Sequence, residues 1–92
     1  VSRITTIHPK SYEDAQLVGR AIRDGVPVVL NLTGVAEAVA YRIVDFSAGV
    51  VFGVRGSLER VTPRVFLLSP AQVNIKVEEP QANNSSHDLF AD

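Results

Sequence analysis

A chain of 92 residues has room for one hydrophobic core, not for two cores and a linker. Nine basic and ten acidic residues leave a net charge of −1, without the basic excess expected of a nucleic-acid-binding domain this small. With no cysteine, disulfides and thiolate metal sites are excluded, which fits a reducing cytoplasm. No apolar run is long enough to span a bilayer and no signal-peptide pattern opens the sequence. The first residue is Val1, from which a longer native N-terminus is expected.

In chain order, Ile4 and Ile7 in RITTIH predict a short strand that His8-Pro9 ends. SYEDAQLVGRAIRDG then reads as a helix, with Ser11 as N-cap and Asp14 three residues later as in a capping box. Ala15, Val18 and Ile22 form its apolar stripe, flanked by Leu17 and Ala21. Glu13, Gln16, Arg20 and Arg23 lie opposite, and Gly25 supplies the stop. VPVVLNL, residues 26–32, is nearly continuous in apolar and β-branched residues and predicts a central strand.

Beyond Thr33-Gly34, residues 35 to about 54 form a helix of a different kind. Val39, Ile43, Phe46 and Val50 make one apolar stripe; Ala40, Val44, Ser47 and Val51 make a second, rotated by roughly 100°. Tyr41 and Phe52 add bulk, leaving Arg42 and Asp45 as a narrow polar edge. A helix apolar around so much of its circumference is buried on more than one side, and so small a domain has little protein with which to bury it twice. A second copy is the economical cover, which assigns Val39, Ala40, Ile43, Val44, Ser47, Ala48 and Val51 to a homodimer interface.

GSLERVT and RVFLLSP follow as two strands with a tight turn near Thr62-Pro63, and QVNIKV as a third, with Val73, Ile75 and Val77 alternating against polar neighbours. From Glu79 onward the chain is polar and aperiodic, so 1–78 is expected to be the core domain and 79–92 a disordered tail. The fold predicted is an α/β (α+β) two-layer sandwich: two helices on a mixed sheet of about five strands, in the order β-α-β-α-β-β-β.

Little here suggests chemistry. His8 and His87 have no partner at metal-ligand spacing, and a zinc site needs three or four placed ligands. Gly49, Gly53 and Gly56 do not form a dinucleotide fingerprint, and nothing in the sequence brings Asp45 to Glu59 as a catalytic pair. No catalytic residue, metal site or cofactor is assigned. The hairpin is more informative. Alternation puts Val61, Val65 and Leu67 on one face, taken as core, and Arg60, Phe66 and Leu68 on the other. With Arg64 beside them, these residues resemble a site for an acidic and apolar peptide, whose carboxylates the arginines would hold. The reverse assignment, with Phe66 in the core, satisfies the same alternation equally well.

The run RIVDFSAGVVFGVRGSLERVTPRVFLLSPAQVNI resembles the SepF signature in order and spacing, and the resemblance extends from about Ile4 to Val77. Its valine-rich choices and RVFLLSP ending look most like the actinobacterial branch. The resemblance implies a cytoplasmic, non-enzymatic cell-division protein at the septum, on the inner face of the cell membrane. Its core would homodimerise, with higher polymers as a further expectation, and bind the C-terminal tail of FtsZ in pockets built with dimer contacts. An N-terminal amphipathic helix, expected upstream of Val1, would bind the membrane. By position, Arg60 stands at a basic pocket residue that is often lysine in relatives, and Phe66 at a pocket aromatic. Arg42, Ile43, Asp45 and Phe46 fall in the dimer region, and Gly56 at a turn implicated in higher-order assembly. The alternatives are a small-molecule-sensing dimeric regulatory domain and, against the charge, an RNA-binding domain.

Overall fold

The structure, a computed structural model, describes residues 3–71. The predicted QVNIKV strand and the tail lie outside the described residues. Four strands and two helices follow in order: β1 (Thr5–Ile7), α1 (Ala15–Arg23) after a 3-10 turn (Tyr12–Asp14), β2 (Val28–Asn31), α2 (Glu37–Gly53), β3 (Ser57–Thr62) and β4 (Val65–Ser69). The sheet runs β1-β2-β4-β3, with β1 parallel to β2 and the other pairs antiparallel. Both helices pack on one face of it, α1 over β1 and β2, α2 over β4 and β3, and against each other. This is the predicted two-layer α+β architecture.

Local chemistry explains the ends of α1. The Ser11 side chain makes no cap bond; its carbonyl accepts from Asp14 N–H at 3.1 Å, while the Asp14 carboxylate accepts from Lys10 N–H at 2.9 Å. At the other end Gly25, at φ 81°, donates to Ile22 O, and Val26 donates to Ala21 O. Those two bonds are a Schellman motif, which needs a left-handed residue and so favours glycine. Ala15, Val18 and Ile22 are buried as the stripe predicts.

The two-stripe expectation for α2 requires correction. Its buried residues are Ala40, Ile43, Val44, Ser47 and Val51, which span about 100° of the helix and face the subunit's own core. Val39, Phe46 and Val50 flank that stripe, half-buried against the same core. Both expected stripes are thus consumed within one chain, because the sheet and α1 meet α2 from adjacent directions. Of the seven residues assigned to the dimer interface, Ala40, Ile43, Val44, Ser47 and Val51 have almost no accessible surface, Val39 is half-buried, and Ala48 alone is exposed.

The hairpin faces are likewise reversed. Leu30 pairs with Phe66, which pairs with Arg60; Val28 pairs with Leu68, which pairs with Leu58. Residues directly opposite one another share a face, and Val28 and Leu30 point at the helices. Phe66 and Leu68 are therefore core residues, each 0% exposed. Leu67 lies on the far face, between Val29 and Glu59. The register shifts between Arg60 and Thr62, so Val61 departs from simple alternation.

Candidate peptide-binding site

The described surface around Arg60 is built from three elements. Edge strand β3 carries Leu58 and Arg60 on the side that faces α2, both half-buried. The turn to β4, Pro63-Arg64, folds back beside them: the Arg60 guanidinium donates to Pro63 O at 3.4 Å. The segment between β2 and α2 meets that turn from the other side. Leu32 N–H donates to Arg64 O at 2.7 Å, and Arg64 Nη1 donates to Val35 O at 3.4 Å. The same segment is held further back by Thr33 N–H donating to Asn31 Oδ1 at 3.0 Å, and by His8 Nε2 at 2.9 Å from Thr33 O. His8 is thus a loop anchor.

Helix α2 forms the wall of this surface. On the side of α1 it is closed: Tyr12 meets Phe46 edge-on with ring centroids 6.4 Å apart, and Arg42 stacks over Tyr12 at 4.0 Å. On the flank away from α1, Tyr41, Ala48 and Phe52 recur at spacings of seven and four and lie within about 40° of one another. All three are exposed, Phe52 at 85%. This apolar flank, on the side of β3, is the surface that sequence periodicity missed. Tyr41 and Phe52 read as added bulk because the circumference was divided into two stripes rather than a core with two flanks.

The structure thus brings Arg60 and Arg64 together at one end of the sheet and places Phe66 and Leu68 behind them in the core. Gly56 sits where α2 joins β3. Its N–H donates to Val51 O at 2.7 Å, and a Cβ there would collide with Ser69 O across the first pair of the hairpin. Asp45 lies on the outer side of α2 and Glu59 on the opposite face of the sheet, so they form no pair. Among the described residues, no group of three or more His, Cys, Asp or Glu is placed to hold a metal ion, and no helix is long and apolar enough to cross a membrane. A separate half-open depression of about 460 Å³ lies at the β1 edge, lined by Ile4, Leu17, Ala21 and Val26 with Arg3 and Asp24 at hand.

Comparison with known proteins identifies the architecture. The profile of the family described as "Cell division protein SepF" matches residues 4–75. A cell division protein SepF of Bifidobacterium longum (strain DJO10A) is 92% identical over 92 residues, covering 100% of this chain and 58% of that protein. One from Arthrobacter sp. (strain FB24) is 59% identical over 86 residues, covering 88% of this chain and 48% of that protein. The chain therefore spans about half the length of the relatives it matches. The fold is shared with a SepF-like protein from Pyrococcus furiosus, at TM-score 0.72 and 19% identity over 83% of this chain and 95% of that one. A SepF-like protein from Archaeoglobus fulgidus superposes at TM-score 0.73 with 17% identity, covering 89% and 99%. Family profile, actinobacterial relatives and fold agree with the signature read from residues 42–75: the chain belongs to the SepF family of cell division proteins.

Proposed function

We propose that this chain is the partner-binding core of a non-enzymatic division adaptor. It homodimerises and binds the C-terminal peptide of FtsZ; in a longer protein, a membrane-binding N-terminal segment would complete a tether at the septum. Family membership supports the division role. The observation that carries the peptide reading is the position of Arg60, a half-buried cation on edge strand β3, on the face that α2 covers. An acidic and apolar tail segment finds there a guanidinium for its carboxylate and Leu58, Tyr41 and Phe52 for its apolar side chains. The exposed flank of Tyr41, Ala48 and Phe52 is also where a second copy gains most by docking, so dimer and peptide surfaces adjoin. Weak single-site binding suffices, because a filament presents many tails to each dimer.

Phe66 supports the site from the core, so Phe66→Ala is a poor probe: emptying such a position costs about 3–5 kcal/mol of stability. Arg60→Glu is the sharper test. Titrating FtsZ tail peptide into the folded variant is expected to show at least a tenfold loss of affinity relative to wild type. Equal affinity would exclude Arg60 from the site and remove the support for this surface.

A further inference from the structure

Arg60 and Arg64 stand four residues apart and suggest a pair of equivalent carboxylate ligands, but the structure gives them different work. We infer that Arg64 is a positioning residue: it fixes the turn on which the Arg60 guanidinium rests, while Arg60 meets the ligand. The inference rests on the peptide reading above and divides the labour within that site.

Arg64 is tied to its surroundings through both main chain and side chain. Its N–H donates to Thr62 Oγ1 at 3.3 Å across the turn, its carbonyl accepts from Leu32 N–H at 2.7 Å, and its guanidinium reaches Val35 O at 3.4 Å in partly buried surroundings. Leu32 and Val35 belong to the segment that launches α2, and Val35 N–H itself donates to Leu32 O at 3.0 Å. Arg64 therefore clamps the β3–β4 turn to the start of α2 through both main chain and side chain. Arg60 depends on that clamp. Its guanidinium donates to Pro63 O, the carbonyl immediately before Arg64, and it stands at a register shift, where a bulge re-aims a side chain and the turn beyond sets its direction. A planar guanidinium and an ammonium on a flexible stem present their donors differently, so lysine is not expected to reproduce the Arg64 Nη1 bond to Val35 O. The side-chain half of the clamp is thus specific to arginine, whereas attraction to a carboxylate is not.

The test uses the 92-residue chain, FtsZ tail peptide, and a peptide in which the acidic side chains are changed to amides. Arg64→Gln and Arg64→Lys are both expected to weaken binding of the native peptide about five- to tenfold. With the amide peptide this loss is expected to shrink, because Arg64 acts through Arg60, and in an Arg60→Gln background Arg64→Gln is expected to cost no further affinity for the native peptide. Both should also shift the Arg60 Nε–H NMR resonance in the free protein. Arg60→Gln is expected to lose affinity for the native peptide and little for the amide peptide. If Arg64→Lys binds the native peptide within twofold of wild type while Arg64→Gln does not, or if Arg64→Gln costs the same factor in the Arg60→Gln background as in wild type, Arg64 is a direct ligand and the inference is overturned. If Arg60→Gln weakens binding and Arg64→Gln does not, the positioning role alone falls. If Arg60→Gln leaves native-peptide affinity unchanged, the peptide site falls, and this inference with it.

Discussion

Ser47 shows how one polar atom shapes the reading of a helix. It sits at 0% exposure in the core stripe of α2, and its hydroxyl has no hydrogen-bond partner among the described residues. An unsatisfied buried hydroxyl costs on the order of 1–3 kcal/mol, and alanine is also the better helix former. Ser47→Ala is therefore expected to stabilise the fold by about 1 kcal/mol, read as a raised denaturation midpoint; a lowered midpoint would show that the hydroxyl contributes to packing. Gly56 carries the opposite lesson. Any side chain there meets the Ser69 carbonyl, so it must push β3 from β4 before it reaches a neighbouring molecule. A side chain at Gly56 is therefore expected to lower stability by damaging the β3–β4 pairing, read as a lowered denaturation midpoint.

At the scale of elements, α2 decides both the core and the outer surface. Its apolar residues divide into a core stripe, a flank closed by Tyr12 and α1, and an open flank of Tyr41, Ala48 and Phe52. A charge at Val44 enters the core without a partner, a site where burial of an unpaired ion is prohibitive. The same charge at Ala48 enters solvent. Ala48→Glu is therefore expected to keep the helical circular-dichroism spectrum of the wild type while light scattering reports a monomer; Val44→Glu is expected to unfold. A soluble Ala48→Glu dimer would move the interface away from this flank. Strand and helix identities were legible in the sequence because each carries its own period: Ala15, Val18 and Ile22 on α1, the β-branched run on β2. The side of the hairpin was not. Val61, Val65 and Leu67 alternate with Arg60, Phe66 and Leu68, and both sets hold large apolar residues. Only the cross-strand partners Val28 and Leu30, themselves covered by helices, distinguish inside from outside.

At the scale of the whole molecule, the domain places Arg60 and Arg64 at one end of the β3 edge. The loop before α2, the β3–β4 turn and edge strand β3 converge there, wired by His8, Arg64 and main-chain bonds. Arg60 was singled out by its position in the SepF-like run, but the network beneath it was not, because the bonds from His8 to Thr33 and from Arg64 to Val35 join residues 25 and 29 positions apart. The opposite edge offers a different surface, the depression lined by Ile4, Leu17, Ala21 and Val26. The two surfaces lie at opposite edges of the sheet, on different strands and different helices. The most direct discrimination is a map of amide chemical shifts as FtsZ tail peptide is added to the 15N-labelled chain. The largest changes are expected at Val35, Leu58, Arg60 and Arg64, with Tyr41 and Phe52 next. Changes confined to Ile4, Leu17 and Val26, with Arg60 and its neighbours unmoved, would contradict the assignment of the peptide to the β3 edge.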